Sequence, residues 1–301
     1  MCATPDTTLP AATRCPDLRR MLIWTLAALA GGAFLIDRAA LMTMRPPRRS
    51  PERLAADLGY PITPIAVTTD RVTIRGDLLE PEQVDPAAPV VVLVHGWTGD
   101  SSTMLHLAEP LLASGLPVAV FDVRSHGRSD PAPAVTVRHF RDDLLAVLEW
   151  LQKERPARRI IVVGHSLGGS AAILARARGG PIEGLALVAS PADLFAATAG
   201  FFSDHGLPGG LLVKLFHPSW RLRAGESFRY LDPEARARDI AGSIPITIVQ
   251  GDLDTRVPPS DAVRLSDATG VPVFTVEGAA HRDVLVHPDV HREILRFIRS
   301  V

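Results

Sequence analysis

The feature that most constrains this chain is an unbroken β-branched run, VVVLV, at residues 90–94. A strand with one wet face alternates apolar and polar residues, so a run without alternation is the mark of a strand buried on both faces. Similar runs recur at 117–121, 160–163, 185–188, 246–249 and 271–276. Between them lie helical patterns at 102–114, 137–153, 167–178, 259–269 and 289–298. Strand then helix, repeated, predicts an α/β architecture: a mostly parallel central sheet flanked by helices on both faces. Residues 65–69 and 71–79 do alternate, which predicts antiparallel strands at the sheet edge. The alternation of strand and helix breaks once, from 191 to 240. That stretch has no strand run but holds Phe201, Phe202, Trp220, Phe228 and Tyr230. So long an insertion with its own apolar residues predicts a helical cap over the carboxyl edge of the sheet.

The chain has 301 residues and a formal net charge of -1. That length suits one α/β domain with a large core. The balanced charge gives no basis for a nucleic-acid partner, which needs a concentrated basic face. The two cysteines, Cys2 and Cys15, lie in the N-terminal tail. The body therefore offers no disulfide, cysteine metal site or cysteine nucleophile.

Residues 21–36 are apolar without interruption, and the run resumes after Asp37-Arg38 as far as Met44. A membrane-spanning helix needs about 20 apolar residues, and charges near its end can reach the headgroups. Three readings compete: an uncleaved anchor within residues 21–44, a signal peptide cut near Ala28-Leu29-Ala30, and a helix packed on the domain. Arg19 and Arg20 precede the run and Arg45, Arg48 and Arg49 follow it, so the flanks do not fix an orientation. The expected organisation is a tail and anchor at 1–44, a Pro- and Arg-rich linker at 45–64 with a short helix at 51–58, and a catalytic domain at 65–301.

The residues that carry chemistry fall at strand ends. Gly164-His165-Ser166-Leu167-Gly168-Gly169 joins the run at 160–163 to a helical pattern. Gly-x-Ser-x-Gly between strand and helix is a nucleophile elbow: the central serine takes strained dihedrals, and Gly164 and Gly168 let strand and helix approach. A serine nucleophile needs a base, and a histidine base needs an acid. The order in such folds is Ser, acid, His. Asp252 and Asp254 both follow the run at 246–249; Asp254 is the preferred acid, with Asp252 as the alternative or a turn residue. His281, after small residues 278–280, is the expected base. The expected oxyanion donors are the backbone N–H groups of Leu167 and Trp97, the latter in the loop His95-Gly96-Trp97. His95 and the segment Asp122–Ser129 are read as structural, a polar network beside that loop. His165 is read as fixing the elbow. His106, His139, His287 and His291 are read as surface residues, and His205 and His217 as structural parts of the cap.

In this combination and order, the chain resembles the α/β-hydrolase superfamily across residues 65–301. It is similar to bacterial single-domain hydrolases with an N-terminal hydrophobic segment, a group described as serine aminopeptidase-like. The resemblance implies a Ser-His-Asp triad, an acyl-enzyme intermediate, no cofactor and no metal, and a cap that sets substrate choice. It also implies a serine esterase or lipase-like enzyme, with peptidase, thioesterase, acyltransferase and non-catalytic binding module as the other readings; the apolar residues of the cap suggest a hydrophobic acyl or alcohol group in the substrate. A single N-terminal anchor in the bacterial inner membrane is the implied location. The doubled acid at Asp252 and Asp254 is a departure that leaves the third triad member open.

Overall fold

The structure is a computed structural model that describes residues 18–48, 51 and 53–301. Cys2, Cys15, Arg49 and the tail before residue 18 lie outside the described residues. The chain opens with α1 (Leu18–Thr43), followed by the hairpin strands β1 (Ile62–Thr69) and β2 (Val72–Leu79). Then come β3 (Val90–Val94), α2 (Ser101–Ala113), β4 (Val118–Asp122), α3 (Val137–Glu154), β5 (Ile160–His165), α4 (Leu167–Ala177) and β6 (Gly184–Val188). The inserted segment holds α5 (Leu194–Asp204), α6 (Gly209–Ala224) and α7 (Pro233–Ile240). The chain closes with β7 (Ile246–Gly251), α8 (Pro259–Thr269), β8 (Val273–Val276) and α9 (Pro288–Ser300).

Among the described residues, eight strands form one sheet in the order β1-β2-β4-β3-β5-β6-β7-β8. The β1–β2 and β2–β4 pairs are antiparallel and the other five are parallel. The runs without alternation are explained by two cores. Val90, Val92 and Val94 face one apolar layer, while Val91 and Leu93 face the other. In β1 one face is wet, and the pattern alternates accordingly.

Some boundaries differ from expectation. β1 starts at Ile62, three residues before the expected strand. The short helix expected at 51–58 is a single 3-10 turn, Ala55–Leu58. The junction of the expected anchor and linker is tied down: Val135 N–H donates to Met44 O at 2.8 Å, and Arg48 donates to Gly127 O and Ser129 O. Within the inserted segment, α7 buries Ala237 and Ile240 in the main core and packs on α4 and α8. Ala224 at the end of α6 joins the main core, while α5 and most of α6 stand apart, in a cluster of Phe202, Phe216 and Trp220 with Ala40 of α1 and Met44 just beyond it.

That last contact concerns the N-terminal apolar run. Residues 19–43 are long and apolar enough to cross a membrane, with mean hydropathy 1.4, a property shared by anchors and signal sequences. Residues 19–31 and 33–35 are exposed, whereas Ala40 and Met44 are buried against the cap.

Candidate active site

β5 ends at His165 and α4 begins at Leu167, so one residue must make the turn. Ser166 makes it with φ 53° and ψ −127°, a left-handed conformation that a non-glycine residue adopts only when its surroundings enforce it. They do so by close approach. A Cβ on Gly164 would sit 2.5 Å from Gly169 Cα, and one on Gly168 would sit 2.4 Å from Val94 O. Gly169, which the Gly-x-Ser-x-Gly argument did not single out, is as confined: its Cβ would meet Ser190 Oγ at 1.8 Å. Ser166 N–H is itself held, donating to Val188 O at 2.9 Å.

Three distant side chains meet at this turn. His281 Nδ1–H donates to Asp254 Oδ2 at 2.7 Å. That leaves Nε2 as acceptor for the Ser166 hydroxyl, 3.1 Å away. Asp254 is buried, and its Oδ1 accepts from the N–H groups of Arg256 at 3.0 Å and Val257 at 2.9 Å. Gln250 Nε2 donates to Oδ2 at 3.2 Å and also to Val257 O, bracing the loop. Burial alone would raise the Asp254 carboxyl, but the His281 hydrogen bond and charge and the two backbone donors outweigh it and hold it below the usual carboxylate range. Gln250 was missed in the sequence, although an amide ending an apolar strand run was a visible anomaly.

Asp252 has a different part. It is exposed, and its Oδ1 accepts from Gly278 N–H at 2.7 Å. With Leu253 N–H donating to Ala279 O at 3.1 Å, it ties the loop after β7 to the loop that carries His281. Gly251 permits that approach, since a Cβ there would lie 2.2 Å from Ala279 O.

The first loop abuts the serine. A Cβ on Gly96 would sit 2.7 Å from Ser166 Cβ, so the backbone leading into Trp97 passes directly beside the hydroxyl. Leu167, first residue of α4, has an N–H with no acceptor in the preceding helical turn. Behind this loop lies a packed group of rings. Trp97 contacts His126 and Phe140, with centroids 5.7 and 6.4 Å apart. His95 Nε2 accepts from Val123 N–H at 3.0 Å while Nδ1–H donates to Gly96 O at 2.8 Å. Burial lowers His95 and drives His126 down to about 3, so both are neutral scaffold. Asp122 joins the network by accepting from Ser101 and Arg128 N–H groups.

The other histidines divide. His165 Nε2–H donates to His281 O at 3.0 Å, so it holds the histidine loop. His106 is exposed. His139, expected at the surface, is buried: its Nδ1 accepts from Thr136 N–H at 3.1 Å, and burial lowers it to about 4. His291, also expected to be solvated, is half-buried and donates to Leu285 O at 2.9 Å. His287 caps α9, accepting from Asp289 N–H. In the cap, His217 packs between Phe195 and Phe228, and His205 is exposed with Nδ1–H on Phe201 O. Among the described residues, no group of three or more His, Cys, Asp or Glu is arranged to hold a metal ion.

A family model described as serine aminopeptidase S33, Hydrolase_4, matches residues 85–231. An esterase from Pyrococcus furiosus superposes with a TM-score of 0.69, covering 85% of this chain and 97% of that one at 24% identity. The chain has the α/β-hydrolase fold. The chain is 32% identical over 171 residues to a monoacylglycerol lipase of Mycolicibacterium smegmatis, covering 56% of this chain and 57% of that protein. It is 29% identical over 146 residues to a human monoglyceride lipase, covering 48% of each. The chain thus spans about half the length of the curated relatives it matches.

Proposed function

We propose that this α/β hydrolase is a serine enzyme that cleaves carboxylic esters of hydrophobic acyl groups, with Ser166 as nucleophile, His281 as base and Asp254 as the orienting acid. The observation that carries this is the continuous hydrogen-bond chain from Asp254 through His281 to Ser166. Its chemistry follows from the tautomer. Asp254 keeps the Nδ1 proton, so Nε2 is free to take the proton of Ser166 as Oγ attacks the carbonyl carbon. The resulting oxyanion is held by the N–H groups of Trp97 and Leu167, each donor worth about 3 kcal/mol of transition-state stabilisation. His281 then gives its proton to the departing alcohol. Water repeats the sequence on the acyl-enzyme and releases the acid.

The ester and lipid character of the substrate rests on the lipases to which the chain is similar, and on the apolar cap formed by α5 and α6. A membrane anchor in α1 fits the same reading, since it keeps the enzyme beside lipid-soluble substrates. The test uses the full chain in detergent. Labelling by a fluorophosphonate probe, abolished in Ser166→Ala, is expected. Hydrolysis of p-nitrophenyl esters is expected to rise with acyl length from C2 to C10. Absence of labelling in folded protein would overturn the nucleophile assignment, and a preference for C2 would overturn the hydrophobic acyl group. Amide cleavage is the second reading, favoured by the serine aminopeptidase description of the matching family. Turnover of aminoacyl p-nitroanilides above that of the esters would select it.

A further inference from the structure

We infer that α1 and the cap form one rigid unit, in which the C-terminal end of α6 rests on the headgroup layer of the bilayer that α1 enters. This rests on the anchor reading of α1 and adds what that reading lacks, the part of the catalytic domain that meets the lipid.

The joint between the helices is specific. Asp37 accepts from Arg223 through both of its oxygens, each at 2.7 Å, and from the Ser219 hydroxyl at 2.7 Å. Trp220 Nε1–H donates to Thr43 Oγ1 at 3.2 Å. Ala40 and Met44 pack with Phe202, Phe216 and Trp220. A bidentate pair, an indole hydrogen bond and a buried apolar patch on three successive turns leave no swivel between anchor and cap.

The joint also divides α1 by length. Residues 19–35 are exposed except for the half-buried Gly32, and the cap begins to cover the helix at Ile36. At about 1.5 Å per residue the exposed part is roughly 26 Å long, close to the ~30 Å of a hydrocarbon core. Met21, Leu22, Ile23, Trp24, Leu26 and Leu29 are all more than half exposed, as expected of a lipid-facing surface. The Asp37–Arg223 pair therefore falls at the water boundary, where charge is tolerated.

Contacts pair Asp37 with Arg223 and Thr43 with Trp220, so α1 and α6 run in opposite directions across the joint. The exposed part of α1 thus continues past the C-terminal end of α6. That end presents Leu222, 78% exposed, beside the exposed Arg221, with exposed Arg38 on α1. An apolar side chain flanked by cations matches the acyl boundary beneath anionic headgroups. Leu211, 64% exposed at the other end of α6, lies roughly 16 Å farther along the helix and is expected to stay in water.

The full chain, with Cys2→Ser and Cys15→Ser as background, would carry a single environment-sensitive fluorophore on Leu26→Cys, Leu222→Cys, Leu211→Cys or Glu149→Cys. Each variant is reconstituted in vesicles of phosphatidylglycerol and phosphatidylethanolamine containing doxyl-labelled lipid. Retained fluorophosphonate labelling of each variant, if Ser166 is the nucleophile, or retained far-UV circular dichroism otherwise, certifies the fold. Strong quenching at Leu26, at least twofold quenching at Leu222 by a headgroup-proximal doxyl, and none at Leu211 or Glu149 are expected. Quenching at Leu26 with Leu222 no different from Leu211 overturns the docked cap while leaving the anchor intact. No quenching at Leu26 overturns the anchor and the inference together. Disulfide-linked dimers through Leu222→Cys without quenching would assign the patch to a second copy of the chain and also overturn it.

Discussion

The imidazole of His165 donates a hydrogen bond at 3.0 Å to the main-chain carbonyl of His281, the residue whose ring accepts from the neighbouring Ser166. The residue before Ser166 thus fixes the loop that carries His281. Burial, reinforced by His281, drives His165 down to about 3, so it stays a neutral donor throughout the working range. His165→Ala is expected to lower kcat for a short p-nitrophenyl ester about tenfold while changing KM by less than a factor of three. The lost buried hydrogen bond is expected to cost about 1–3 kcal/mol of stability, read from a urea titration.

The two acids after β7 separate cleanly by environment. Asp254→Asn would favour the wrong imidazole tautomer and is expected to reduce kcat by about 10³–10⁴-fold at neutral pH. Asp252→Asn removes only a carboxylate that accepts from Gly278 N–H, and is expected to stay within about tenfold of the parent. Steady-state kinetics of both variants on one ester checks the assignment; equal losses would return Asp252 to contention.

The elbow's glycines are not equivalent to those elsewhere. Gly168→Ala drives a methyl to 2.4 Å from Val94 O, and Gly169→Ala to 1.8 Å from Ser190 Oγ. Both are expected to yield insoluble protein or a Tm at least 10 °C lower, because the first methyl runs α4 into the backbone of β3 and the second still meets Ser190 Cβ at 2.8 Å after the hydroxyl turns away. Gly210→Ala in α6, with nothing within 4 Å of its new methyl, is expected to be neutral or to stabilise by about 0.5–1 kcal/mol. Thermal melts of the three variants give the comparison.

Acid stability follows from buried neutral imidazoles. His126 and His165 are lowered to about 3 and His139 to about 4, against about 6.5 when unfolded. Between those values the unfolded chain binds the extra protons, so stability is full above about pH 6.5 and falls as pH drops toward 4. Each contributes a slope of about 1.4 kcal/mol per pH unit across that window. Asp261, raised by burial to about 6, opposes them, because the folded state then holds the proton. The net expectation is a urea midpoint that falls steadily from pH 6.5 to 4.5, with His139→Gln reducing the slope. A flat profile would falsify the linkage.

Most of the sheet was legible because both of its faces are covered, which writes β-branched runs such as 90–94 directly into the chain. The meeting of Ser166, Asp254 and His281 follows from three strand ends lying at one edge. What escaped was non-local. His139 sits in a polar-looking helical stretch, yet it is buried near Arg124, whose guanidinium is held by the buried Asp143. That ion pair is formed by residues from two elements, and no single window of sequence contains it. Gln250 likewise has meaning only once Asp254 and Val257 fold back onto it. The contact of α1 with α6 joins residues 186 positions apart, beyond any periodicity argument.

That same contact bears on how the enzyme is handled. Trimming the chain near residue 44 or 64 to obtain an easily purified fragment would strip Asp37 from Arg223 and uncover Phe216 and Trp220. The fragment would keep its nucleophile elbow yet carry a lid with a greasy, unpaired flank. Substrate profiles gathered on such a shortened form would describe a damaged lid, and its tendency to clump would reflect the scalpel rather than the protein.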